Sequence, residues 1–353
     1  MLTFKPHLND IVERHRKLWS REMPDGILAR LDPAEVKLLD PLSFAPDIPA
    51  MALAWEDNYR ARKAVEDDLL PVARVSFGSS AYGAYLGAEV TFTGGAGWSK
   101  PSLPDYSQIE HIGVLEYTPG AVEWQNRQRE ACHYFVEAAR GKFALCETEP
   151  MEGLNLVEVL RGSATYTDLY DHPDELRQLM DFGGDFNIRF TKMQRAILSP
   201  CLRYQDGIFS LFRIWLPGQP AWLSVDAYGL CSPAVFRRFG LEYLQRTIDY
   251  FSGGWVHMHA SGVHLLPLIK QLKPLLGIGI ADDPNQPRAF EKLDEIRAIT
   301  GDIPLQIDCT AEELEQGMKD RSLPGGTMYM VKSGIETVDQ ANRLMEKVRD
   351  YRR

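Results

Sequence analysis

From Val72 onward the chain alternates short apolar, β-rich runs with longer stretches of helical spacing. The apolar runs are VARVSF (72–77), KFALCE (142–147), IFSLFRIWL (208–216), AWLSVD (221–226), GWVHMH (254–259), GIGIAD (277–282), PLQIDC (304–309) and MYMVKS (328–333). AEVTF (88–92) could replace one of them. Runs this short and continuously apolar predict strands buried on both faces. Helix start signals separate them. Ser232-Pro233 offers an N-cap and a first-turn proline, and Thr310-x-x-Glu313 and Thr337-x-x-Gln340 are capping boxes. Strands alternating with helices imply parallel pairing through right-handed crossovers. About eight such units predict a (β/α)8 TIM barrel, with a doubly wound open sheet as the alternative.

The first 66 residues carry a different pattern. IVERHRKLW and PAMALAWEDNYRARKAV have helical spacing, while Pro33, Pro41, Pro46 and Pro49 break the segment into pieces. The expectation is an N-terminal helical extension, 1–66, packed on a barrel domain, 67–353.

Composition narrows the field. With 353 residues, 44% hydrophobic and 25% charged, the chain is ordinary globular protein. Its net charge of −10 repels phosphate backbones, and the densest basic cluster, Arg60, Arg62 and Lys63, is soon followed by Glu66, Asp67 and Asp68. Nucleic acid is not an expected partner. Five scattered cysteines without a Cys-x-x-Cys pair suit a reducing cytoplasm, and no apolar run is long enough to span a membrane.

Two glycine-rich stretches resemble phosphate loops and fail as such. After Gly78-x-x-x-x-Gly83, Ala84 and Tyr85 stand where Lys and Ser/Thr are needed. After Gly277-Ile-Gly279, Asp282 takes the third glycine position and would repel a pyrophosphate. Both read instead as tight turns beside strands.

The chemistry concentrates in Gly254-Trp-Val-His257-Met-His259-Ala-Ser-Gly262. Strand side chains alternate, so Trp255, His257 and His259 share a face near the strand's C-terminal end, where barrel enzymes hold their active sites. Two imidazoles so spaced can grip zinc or another transition metal. They can equally be hydrogen-bonded histidines that bind an anionic substrate without metal. Cys309, ending another strand, is either a third metal ligand or a small buried hydrophobe. His264 reads as structural. Glu147, Glu149 and Asp226 end strands, where carboxylates can move protons or complete a metal shell. Asp226 is favoured because Ser224 shares its face and Tyr228 follows closely. Trp98, Trp215, Trp222, Tyr228 and Trp255 suggest a ring-bearing or apolar ligand, or simply core.

These residues carry a resemblance. Asp226, Leu230-Cys-Ser232-Pro233-Ala-Val-Phe236, His257-x-His259-x-Ser-Gly262 and Gly277-Ile-Gly-Ile resemble the uroporphyrinogen decarboxylase superfamily, which includes zinc-dependent methyltransferases of corrinoid systems. Phe77-Gly78, Leu86-Gly87, Leu160-Arg-Gly162, Asp168-Leu-Tyr-Asp171-x-Pro173-Asp-Glu-Leu176 and Gly334-Ile-Glu-Thr337 extend it, in patches, over about 70–350. The resemblance implies a (β/α)8 barrel. The decarboxylases' Met-Arg-Gln-Ala-Gly-Arg motif is missing here. The methyltransferases hold zinc with a His-x-Cys pair and a distant Cys. His257 matches their histidine, His259 replaces their first cysteine, and Val331 or a neighbour stands at the distant one.

The expected function is therefore a corrinoid-dependent methyltransferase or demethylase acting on a small methylated substrate. Its corrinoid would be carried by a partner protein. His257, His259 and Cys309 would hold zinc, Asp226, Glu147 and Tyr228 would be catalytic, and Trp98, Ser224 and Trp255 would contact substrate. The alternatives are a metal-free decarboxylase using His257 or Asp226 as acid, and a non-catalytic member that binds a small ligand or a corrinoid protein.

Overall fold

A computed structural model describes residues 2–38, 47–79, 81–93, 96–151 and 153–353. Its strands are β1 (Ile27–Leu31), β2 (Val72–Arg74), β3 (Val90–Thr93), β4 (Ala96–Ser99), β5 (Ala144–Cys146), β6 (Arg203–Tyr204), β7 (Gly207–Ser210), β8 (Ile214–Pro217), β9 (Ala221–Ser224), β10 (Gly254–His259), β11 (Leu275–Ala281), β12 (Leu305–Thr310) and β13 (Thr327–Ser333). Six of them form one parallel sheet in the order β1-β13-β12-β11-β10-β9, and β2 and β5 form a second parallel ladder. Each of these eight strands is followed by helix before the next. The fold is thus mixed α/β around a parallel sheet. The caps read from the sequence are in place: Ser232 caps Pro233–Phe239, and both capping boxes form. No described helix is long and apolar enough to cross a membrane.

Three expectations need correction. Residues 1–66 are not only an extension, because β1 lies within them and pairs with β13, Ala29 opposite Tyr329. The run 208–216 is not one strand. It is interrupted at Phe212 and Arg213, both at φ +61°, and folds back as β7 and β8 of an antiparallel three-stranded sheet with β6. AEVTF likewise enters the antiparallel pair β3–β4, outside the parallel sheet.

The two parallel ladders are joined by side chains. Ala29 and Leu31 of β1 donate their N–H groups to the carboxylates of Asp68 and Asp67, at 2.9 and 3.0 Å, and Asp68 N–H returns a bond to Ala29 C=O at 3.0 Å. Both carboxylates are buried, and cations neutralise them: Arg14 grips Asp68 with two bonds, while Lys5 and Arg62 reach Asp67. Arg62, Asp67 and Asp68, which stand in the mixed-charge stretch of the sequence, are thus part of a buried network. At the second seam, Arg195 holds Glu147 just after β5 and the carbonyls of Gln219 and Pro220 just before β9.

The inner face of the parallel sheet is crowded by Trp255. A Cβ at Gly277 would lie 2.9 Å from its Nε1, and one at Gly279 2.2 Å from its Cη2. The two glycines lie inside β11, not in a turn, and they exist there because the indole needs the space.

Breaking a buried ion pair leaves the surviving charge without compensation, which costs about 3–5 kcal/mol. Asp68→Ala also strips Ala29 N–H of its acceptor. It is expected to lower the unfolding free energy by about 3 kcal/mol or more in urea titrations. Removing the exposed carboxylate of Glu13 should leave the denaturation midpoint nearly unchanged. Equal effects would contradict the seam's importance.

Candidate functional site

The register of β9 and β10 builds the site. Ser224 pairs with His257, and the ladder continues when Val225 N–H donates to His257 C=O at 3.1 Å. Asp226 is therefore delivered beside the imidazoles of β10. Asn155 fixes this turn from both sides: its amide donates to Ser224 C=O at 3.0 Å and accepts from Ala227 N–H at 2.9 Å. Asp226 Oδ1 lies 3.7 Å from His257 Nε2 and 3.8 Å from His259 Nε2. Those separations are too long for hydrogen bonds. They approach the roughly 3.4 Å between neighbouring ligand atoms of a tetrahedral zinc. One ligand atom from each of the three residues falls within 4.8 Å of the others.

Each imidazole is oriented differently. His257 is buried against aromatic rings, stacked on Trp222 (centroids 5.8 Å, 18° between planes) and 5.0 Å from Phe212. Burial pushes its pKa down to about 4, against the smaller opposing pull of Asp226. Its ring is neutral at pH 7, with a lone pair available to a metal. His259 is half-buried, and its Nδ1 lies 2.7 Å from Asp283 Oδ1. Burial alone would raise the Asp283 pKa, but hydrogen bonds from Ser261 and the neighbouring His259 ring outweigh it and hold the carboxyl below its ordinary value.

Beside Asp226 and His257 opens a cavity of about 600 Å³. Ser224, Trp222, Phe212, Trp55, Arg74 and Glu149 are among its walls. Glu149 accepts from Arg74 at 3.1 Å and from Ser76 at 3.0 Å. Phe212, whose ring packs on His257, and Arg213 after it both take left-handed backbone conformations, at a cost of about 1–2 kcal/mol each.

The other residues singled out in the sequence are placed elsewhere. Glu147 is bound to Arg195 behind the cavity wall. Tyr228 is buried, its hydroxyl donating to Phe239 C=O and accepting from Leu154 N–H. Cys309 is buried on the outer face of β12, opposite in parity to Gln306, which packs beside Gly279 inside. Burial also pushes its thiol pKa well up, away from the thiolate a metal needs. Trp98 is 67% exposed on β4, and Trp255 is sealed beneath Phe212. His264 bridges the carbonyls of Ser261 and Cys231, a structural role. The structure thus brings Asp226, His257, His259, Ser224, Glu149 and Trp222 together and adds Asn155, Asp283, Phe212 and Trp55. Asn155 and Asp283 carry no local sequence signal. Phe212 lay hidden in a run that reads as a plain strand.

No known family's sequence pattern matches the chain. No curated protein matches it either. Among solved structures, a methyltransferase from Methanosarcina mazei is similar to it, with a TM-score of 0.62 and 12% sequence identity over 96% of this chain and 98% of that one. The likeness concerns the fold.

The buried His257 makes a pH prediction for protein stripped of metal. Above pH 6.5 the ring is neutral whether the chain is folded or not. Below it, the unfolded chain takes the proton first, so stability falls until the folded ring titrates near pH 4. Between those limits the protein should lose on the order of 2–3 kcal/mol more than His257→Gln does, measured by urea unfolding. Parallel curves for the two proteins would show that His257 is not held neutral by burial.

Proposed function

We propose that this chain is a methyltransferase or demethylase of the corrinoid type, folded as a closed (β/α)8 barrel whose two ladders meet at the side-chain seams. The observation that carries the reading is the convergence of Asp226, His257 and His259 on one point beside the cavity. Two imidazoles and a carboxylate form a metal site with positions left open for water or substrate. Zinc, when bound there, would supply Lewis acidity toward the heteroatom that carries the methyl group. With no thiolate donating electrons, the ion would be a stronger Lewis acid than one held by the methyltransferases' cysteines. That suits an oxygen or nitrogen donor, as in an ether or amine.

The residues of the chain have separable tasks. Asp226, His257 and His259 hold the ion. Ser224 offers a hydroxyl beside it, and Trp222, Phe212 and Trp55 wall a cavity whose volume suits a small molecule. The corrinoid, which the sequence resemblance implies, would be carried by a partner protein at the open end of the cavity. The methyltransferase fold of the Methanosarcina mazei neighbour supports this reading at the level of architecture.

A metal-free lyase is the second reading. The 2.7 Å contact of His259 with Asp283 favours it, because a carboxylate against an imidazole is also how proton-transfer histidines are oriented.

Metal analysis of protein purified without chelator separates the two readings. About one zinc or similar ion per chain is expected, lost in His257→Ala and Asp226→Ala and retained in Cys309→Ala. Metal-free protein with full activity would overturn the metal reading in favour of the lyase. Loss of the ion in Cys309→Ala would overturn the ligand set.

A further inference from the structure

We infer that Asp283 is a positioning residue that presents His259 to the metal through Nε2 and strengthens its grip, an inference that rests on the metal reading above. Asp283 lies two residues beyond β11, outside the strand that carries the histidines. Its Oδ1 sits 2.7 Å from His259 Nδ1. Its Oδ2 accepts the N–H of Ser261 at 3.2 Å, two residues past His259. One carboxylate therefore lies against the ring and also holds the chain that follows it. The adjacent Asp282 is committed elsewhere, to Arg288 and to Ala289 N–H, each at 2.9 Å.

The geometry explains why this carboxylate matters to His259 in particular. His259 Nδ1 is buried and has no aligned hydrogen-bond acceptor among the described residues. The Asp283 oxygen is close, but the N–H direction passes to one side of it. Asp283 is the group within reach that can stabilise a proton on Nδ1. A proton there leaves the lone pair on Nε2, the nitrogen that faces Asp226. A carboxylate on the far side of a ligating imidazole fixes its tautomer and raises its basicity toward the metal. His257 does not need this support, since Trp222 and Phe212 both pack against its ring. The two imidazoles are thus set by different means, one by aromatic packing and one by charge.

The test is zinc affinity, measured by competition with a chromophoric chelator on the full-length protein. Asp283→Asn keeps an oxygen for Ser261 N–H and removes the charge. It should weaken zinc binding about 10- to 100-fold, with Asp283→Glu recovering part of the loss. Asp282→Asn should bind within about twofold of the parent, and zinc-free Asp283→Asn should unfold at the parent's temperature. Parent protein that binds zinc, with Asp283→Asn binding as tightly, would overturn the role of Asp283 and leave the metal site standing. A lowered unfolding temperature in zinc-free Asp283→Asn would show a structural role and overturn the inference. Parent protein that binds no zinc would overturn the metal reading itself.

Discussion

The parallel pairing of Ser224 with His257 is the constraint on which the site depends. It aligns the end of β9 with the middle of β10, so the residue two beyond Ser224 meets the face that carries both imidazoles. A slip of one residue would turn Asp226 to the other side and remove the only carboxylate in position to share an ion with His257 and His259 among the described residues. Much of the surrounding structure protects that register. Asn155 clamps the turn, and Phe212, in a strained conformation, packs against the His257 ring. The seams defined by Asp67, Asp68 and Arg195 hold the flanking strands where their own ladders stop.

Strain and burial are concentrated around the candidate site. Two adjacent left-handed residues and a buried neutral imidazole lie within the span from β7 to β10, beside a cavity walled by indoles and a phenyl ring. An environment of this kind keeps a histidine unprotonated and ready to ligate. It also excludes water from one side of any bound ion, which strengthens that ion's pull on a substrate heteroatom.

How much of this was legible in the sequence depends on the range of the interaction. Local signals read well: the capping boxes, the apolar runs of β9 to β13, and the shared face of Trp255, His257 and His259. Longer-range features did not. β1 is a five-residue run containing Arg30 and flanked by prolines, and its partners are β13 and two aspartates more than thirty residues away. Glu147 looked like a rim carboxylate because Arg195, its buried partner, is 48 residues distant. Cys309 and Asp308 alternate along β12, and nothing in the local pattern says which of the two faces inward. Asp283 lies in a loop whose spacing carries no motif, so only the folded chain brings it to His259.

The central claim is that a metal is held by two imidazoles and a carboxylate, with no thiolate. X-ray absorption at the zinc edge of the metal-loaded protein tests it most directly. The result expected is a first shell of nitrogen and oxygen at about 2.0–2.1 Å, with the outer-shell scattering of two imidazole rings. A sulfur shell at about 2.3 Å, or the absence of imidazole scattering, would contradict it.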